Sequence, residues 1–212
     1  MTRYRTAGRI STTPLILIAA LAAALGLWLG ARMLGAPALP ALAAVTLFPQ
    51  PRALPDFHLT RSTGESLTLA DWKGRWTVAY FGYTHCPDVC PTTLAAFKQT
   101  WKLLDSASAQ KLRFDFISVD PARDTPEQLA RYVGYFSKDF VAATGTDDEL
   151  TGLTHALGLV YSHEKSADGS DVVDHSAAAV IIDPRGNEAG ILRPPFEPAK
   201  IAADLTMLAA SR

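Results

Sequence analysis

Both cysteines of this 212-residue chain fall in one run, Phe81-Gly82-Tyr83-Thr84-His85-Cys86-Pro87-Asp88-Val89-Cys90-Pro91. A spacing of four puts Cys86 and Cys90 on one small patch, because residues i and i+4 face the same side where a helix carries them. Two thiolates so placed can close on one soft metal ion or on each other. The C-x-x-x-C spacing is one residue longer than the C-x-x-C of a redox dithiol, which favours holding an ion, and an ion needs at least a third ligand. Pro91 suits the first turn of a helix starting at Cys90, whose dipole and free amide groups stabilise a thiolate. Both Cys90 and Cys86 are therefore expected to have lowered pKa values, which serves a metal ligand and a reactive thiol equally.

Five histidines compete for the third position. His85 adjoins Cys86, but successive side chains of extended backbone alternate, so its ring is expected to point away from the sulfurs. His155 falls among Leu153, Ala156 and Leu157 of a helix, and His58 and His163 sit in or beside strands with nothing near them to suggest a ligand. His175 differs, because Asp174-His175-Ser176 precedes an apolar strand at the mouth of a sheet, and it is the expected ligand. Asp120-Pro121 ends another strand near the same edge, so Asp120 is expected either to support the ligands or to meet a partner, against the plainer reading of a solvated turn aspartate. Asp88 and Asp174 flank the ligands and would tune local charge.

The elements that must position these residues alternate. A hairpin is expected over 57–60 and 65–69, then a buried strand over 76–82, whose near-continuous apolar run suits a central strand covered on both faces. Leu94, Phe97, Trp101 and Leu104 recur at helical spacing after the cysteines. A strand over 112–119 leads to Thr125-Pro126-Glu127-Gln128, a capping box with proline at the first helical position. A strand over 140–143 leads to a second box, Thr146-Asp147-Asp148-Glu149. A strand pair over 177–183 and 188–192, split by Pro184-Arg185-Gly186, and a helix from Pro198 complete an α/β domain with a mixed sheet.

Ahead of the domain, residues 14–31 are uncharged, roughly the 18 residues that cross a bilayer core as a helix. Arg3, Arg5 and Arg9 precede this stretch and Arg32 follows it, so residues 1–13 form a basic segment expected on the cytoplasmic side, with the rest exported. Small-residue sites at Ala36-Pro37-Ala38 and Ala41-Leu42-Ala43 offer a cleaved signal peptide as the alternative, and an arginine-rich, acid-free leader also fits a mitochondrial presequence. No cysteine stands at a lipidation position. Residues 32–55 carry five prolines and little periodicity, and read as an extended tether to a domain spanning 56–212. The net charge of −1 speaks against nucleic acid as a partner.

The cysteine run, together with Ser118-Val119-Asp120-Pro121-Ala122-Arg123-Asp124-Thr125-Pro126 and Val173-Asp174-His175-Ser176, closely resembles the Sco/SenC family of copper chaperones for cytochrome c oxidase assembly. The resemblance covers roughly residues 56–209. It implies a thioredoxin-like fold behind an amino-terminal membrane anchor, with copper bound by Cys86, Cys90 and His175. It further implies cytochrome c oxidase subunit II, through its CuA centre, as recipient, and an upstream periplasmic copper donor. The implied location is the bacterial inner membrane, single-pass, with the carboxy-terminal domain in the periplasm; a mitochondrial inner membrane facing the intermembrane space is the alternative. Two thiolates and one imidazole suit Cu(I), with Cu(II) accommodated if the geometry relaxes, whereas zinc would want a fourth ligand. The same thiols would serve a thiol-disulfide oxidoreductase, with Cys86 and Cys90 as its redox-active pair, or a thiol-based redox or copper sensor.

Overall fold

The computed structural model describes residues 13–34, 41–165, 169 and 171–211. Apart from Thr13, the expected basic segment 1–13 lies outside the described residues, as do residues 35–40. Two units emerge, 1–40 and 41–212. In the first, helix α1 (Thr13–Leu34) contains an 18-residue stretch, Thr13–Gly30, long and apolar enough to cross a membrane.

The second unit is built on an eight-stranded mixed sheet. Its strands are β1 (Val45–Ala53), β2 (His58–Arg61), β3 (Ser66–Thr68), β4 (Trp76–Gly82), β5 (Leu112–Ser118), β6 (Val141–Thr144), β9 (Ala179–Ile182) and β10 (Asn187–Leu192), in the order β1-β10-β9-β4-β5-β6-β2-β3. The strands β4, β5 and β6 are mutually parallel, while β9 runs antiparallel beside β4. Alternate residues of β4 feed opposite faces: Val78 and Tyr80 join one core, Ala79 and Phe81 the other. That two-sided burial is why the strand reads as a continuous apolar run. The first core is covered by α2 (Val89–Leu103), α4 (Pro126–Phe136) and α6 (Pro198–Ala210), through residues such as Phe97, Val133 and Leu205. The second is covered by α5 (Asp147–Ala156), through Leu150 and Leu153.

Two connections add to the expected alternation. A short helix, α3 (Ser106–Gln110), precedes β5, and β7 (Tyr161–Lys165) pairs with β8 (Asp171–His175) in a separate two-stranded ribbon. His175 therefore closes a strand of its own, four residues before the apolar strand β9. The capping box at Thr125 forms as expected, with reciprocal bonds to Gln128. The box at Thr146 forms by half: Thr146 Oγ accepts the Glu149 N–H, but the Glu149 carboxylate accepts the His58 N–H and ties α5 to β2.

The tether expected over 32–55 is corrected by the fold. Residues 45–53 are an edge strand paired antiparallel with β10, so the chain joins the sheet well before Asp56. Prolines lack the N–H a central strand needs, which disguised the strand; at an edge they are tolerated, and Pro49 and Pro51 fall where the register shifts between Leu47 and Arg52. The approach is fixed from two sides. The buried Asp204 carboxylate of α6 accepts the N–H groups of Ala43, Ala44 and Val45 at 3.0, 2.7 and 2.8 Å. On β10, a Cβ at Gly190 would stand 2.5 Å from the Thr46 carbonyl oxygen, so only glycine permits the contact.

Candidate metal centre

The parallel strand β4 ends at Gly82, and the chain turns through residues 83–88 into α2. Cys86 lies in that turn, half-buried, and its Sγ accepts the Cys90 N–H at 3.4 Å. Cys90, in the first turn of α2, is fully buried. The helix begins at Val89, one residue before the expected start, and Pro91 occupies its first turn. The ribbon β7–β8 delivers His175 to the same point, with Nε2 3.4 Å from the Cys90 sulfur. The donor atoms of Cys86, Cys90 and His175 all lie within 4.8 Å of one another.

Several contacts set the imidazole. Its Nδ1 lies 3.1 Å from the Ser176 carbonyl oxygen, which can only accept, so Nδ1 carries the proton and Nε2 presents its lone pair to the sulfurs. That is the arrangement of a metal-binding histidine whose second nitrogen is tied to a backbone carbonyl. The ring packs edge-on against Tyr80 and Tyr83, with centroids 6.1 and 6.0 Å away. The Tyr80 hydroxyl lies 3.8 Å from the Cys90 sulfur. Gly82 clears the space for that sulfur, since a Cβ there would stand 2.6 Å from it.

The thiols are unequal, which corrects the expectation that both have lowered pKa values. Cys86 is brought down to about 4, chiefly by the hydrogen bond from the Cys90 side chain, with the Cys90 and Asp88 backbone N–H groups adding to it. Cys90 is pushed up, first by that same pairing with Cys86 and then by burial. The pair thus holds one thiolate, on the accessible sulfur, and one thiol, on the buried sulfur. A helix terminus cannot rescue both when one is sealed in the core.

The other expected residues fall elsewhere. His155, His58 and His163 are exposed and stand outside this group. Asp88 and Asp174 are exposed. Asp120 is 2% exposed, and its carboxylate pairs with Arg123, whose guanidinium lies over the Tyr83 ring at 5.7 Å. Asp120 is thus connected to the His175 imidazole through Arg123 and Tyr83. His85 turns from the sulfurs, as expected, toward Asp124, with Nδ1 3.4 Å from its carboxylate.

Asp124 braces the cysteine loop. Fully buried, it accepts the Thr84 N–H at 2.8 Å, the Thr84 hydroxyl at 2.6 Å and the Ser118 hydroxyl at 2.6 Å, joining the loop to the end of β5. In the sequence it stands directly before a capping box and within the 118–126 run that carries the resemblance.

The SCO1/SenC family model matches residues 48–210. A Stutzerimonas stutzeri protein whose name refers to copper binding is 36% identical over 155 residues, covering 73% of this chain and 76% of that protein. The human mitochondrial protein SCO1 homolog is 42% identical over 132 residues, which span 61% of this chain and 44% of the human protein. The chain thus spans about half the length of its mitochondrial relatives. Among solved structures, Bradyrhizobium japonicum ScoI with copper bound superimposes with a TM-score of 0.68 at 32% identity, covering 74% of this chain and 99% of that one. Apo Sco1 from Thermus thermophilus gives a TM-score of 0.71 at 28% identity, over 80% of this chain and 99% of that one. The mixed sheet flanked by helices is the thioredoxin-like fold of these neighbours, and the chain belongs to the SCO1/SenC family.

Proposed function

We propose that this chain is a membrane-anchored copper chaperone that holds copper through Cys86, Cys90 and His175 and delivers it to the CuA centre of cytochrome c oxidase subunit II during assembly. The observation that carries this reading is the meeting of two sulfurs and an imidazole lone pair within 4.8 Å. An ion bound about 2.0–2.3 Å from each donor requires donors roughly 3.5–4 Å apart, close to the spacing between Cys90 and His175. The set is soft and three-coordinate, which suits Cu(I), and no fourth histidine, cysteine or carboxylate joins it among the described residues. Copper-bound ScoI of Bradyrhizobium japonicum supports the choice of metal. The apolar helix α1 supports anchoring, with the domain on the periplasmic side of a bacterial inner membrane, where an upstream donor loads it.

The chain's residues divide the work. Cys90, buried and backed by Gly82 and Tyr80, is the fixed ligand; Cys86, accessible and already a thiolate, is the ligand a recipient thiolate replaces first. His175 contributes a neutral nitrogen and so adds no charge to the two sulfurs.

Anaerobic Cu(I) titration of the full-length protein in detergent, against a competing chelator, tests this. One tight equivalent is expected, weakened at least about tenfold by each of Cys86→Ala, Cys90→Ala and His175→Ala. Deletion of the gene is expected to leave the oxidase without CuA at limiting copper; an oxidase of normal copper content there sinks the delivery role.

One observation favours a second activity at the same site. An accessible low-pKa Cys86 before a buried Cys90 is the layout of an attacking and a resolving thiol, able to reduce a recipient disulfide. Reduction of a recipient disulfide that survives His175→Ala, with copper binding lost, would assign the chain to that chemistry.

A further inference from the structure

Cys86 is the one donor of the centre that no helix or strand holds. Cys90 lies in the first turn of α2, fully buried, and His175 ends β8 with its Nδ1 on the Ser176 carbonyl. Cys86 instead closes a turn: its N–H donates to the Tyr83 carbonyl at 3.3 Å, with Thr84 and His85 as the central residues. Between Cys86 and Cys90, residues Pro87, Asp88 and Val89 are all exposed, so no buried side chain fixes the loop from that side.

The turn is held from β5. Asp124 is fully buried, and both of its oxygens bind Thr84, Oδ2 accepting the N–H at 2.8 Å and Oδ1 the hydroxyl at 2.6 Å. The hydroxyl of Ser118, the last residue of β5, donates to Oδ2 at 2.6 Å. Asp124 in turn donates its own N–H to the Asp120 carbonyl at 2.9 Å, and the Val119 N–H donates to the Gly82 carbonyl at 2.9 Å. The ends of β4 and β5 and the turn between them and α2 are thus one hydrogen-bonded frame. A buried carboxylate is tolerated when its oxygens are paired, and bonds to an ionised acceptor are the strong ones. Here they converge on a central residue of the turn that ends at Cys86. The frame sets where that turn ends, and hence where Cys86 Sγ meets the Cys90 N–H at 3.4 Å.

We propose that Asp124 is a positioning residue for copper binding, which fixes the Tyr83–Cys86 turn and thereby the place of the Cys86 sulfur, while Cys90 and His175 keep their own supports. This rests on the reading of Cys86, Cys90 and His175 as the copper ligands. Asp124 bonds to none of the three donors among the described residues, so its influence on the ion passes through the turn, and through Cys86 alone.

Anaerobic Cu(I) competition titration of the full-length protein in detergent tests this as a double-mutant cycle. Asp124→Ala is expected to weaken binding at least about tenfold. In a Cys86→Ala background the same substitution is expected to change the affinity less than about threefold, because the ligand it positions is already gone. Asp124→Asn is expected to recover most of the loss: its oxygen can stay on the Thr84 N–H and the Ser118 hydroxyl, and its NH₂ can donate to Thr84 Oγ. Thr84→Val removes the hydroxyl arm and leaves the N–H bond, so its loss is expected to be smaller and again to need Cys86; it carries the cycle should Asp124→Ala fail to fold. Unchanged affinity in both Asp124→Ala and Thr84→Val, losses that add in full to that of Cys86→Ala, or Asp124→Asn as weak as Asp124→Ala overturns the proposal. Hydrogen exchange of the metal-free protein, followed by NMR, is expected to accelerate at the Cys86 amide in both substitutions at Thr84 and Asp124→Ala's site while β4 and β5 stay protected. An unchanged Cys86 amide, or equal acceleration along β4 and β5, also overturns it. That exchange is read without metal, so it stands apart from the copper reading, which the wild-type titration reports.

Discussion

His175 Nε2 lies 3.4 Å from Cys90 Sγ although 85 positions separate them, and His175 Nδ1 is committed to the Ser176 carbonyl. The lone pair is aimed at the sulfur before any metal arrives. Little reorganisation is then required on binding, which is what a site built to take up and give back an ion needs.

Gly82→Ala tests how tightly that aim is set. The new methyl would stand 2.6 Å from the Cys90 sulfur and 3.1 Å from the Phe116 ring. Overpacking of this kind costs about 1–3 kcal/mol, measurable by denaturant unfolding. The Cu(I) affinity is expected to fall by at least about tenfold because Cys90 is the ligand displaced.

The reduced, metal-free protein should show one reactive thiol with an unusual pH profile. Cys86 is depressed to about 4, so it stays a thiolate above that pH and becomes a thiol as pH falls through it. Iodoacetamide should modify Cys86 alone from neutral pH down to about pH 5, where an ordinary thiol is almost entirely protonated, and the rate should drop below about pH 4. Mass spectrometry of the alkylated peptide checks this; equal labelling of Cys90 would show that the buried sulfur is not the protonated one. The stability linkage has the matching sign: a depressed acid stabilises the fold above its unfolded value and loses that contribution as pH falls toward 4.

Tyr80→Phe should matter little. Its hydroxyl meets the Cys90 sulfur at 3.8 Å, while its ring supports Phe97 and His175, and phenylalanine keeps the ring. Copper affinity is expected to change less than about threefold, since a weak bond to sulfur is worth well under 1 kcal/mol. A larger loss in the competition titration would make the hydroxyl part of the site.

Asp204→Ala addresses the edge strand. It leaves the N–H groups of Ala43, Ala44 and Val45 without their acceptor. Each buried donor left unpaired costs about 1–3 kcal/mol, reduced where water can replace the carboxylate, so a loss of at least about 2 kcal/mol is expected. Hydrogen exchange should accelerate first in β1 while β4 and β5 stay protected.

The sequence by itself was enough for the apolar helix expected over residues 14–31, the β4 and β5 strands, the capped helices and the placing of Cys90 in the first turn of a helix with Cys86 in the turn before it. Each of these is a local matter of apolar periodicity, cap chemistry or side-chain spacing within one turn. The β1 strand was hidden because its prolines look like a linker, and only pairing with β10, far along the chain, makes them edge residues. The split between the two thiols depends on burial, which no spacing encodes, and it appears once Cys90 is sealed beneath Gly82 and Tyr80. Asp124 and the orientation of His85 likewise belong to the tertiary structure, since the end of β5 must first arrive beside Thr84. Residues that could bind a soft metal were therefore legible in the chain, whereas their distances, protonation and support come from strand order and long-range packing, which bring together groups that lie far apart in sequence.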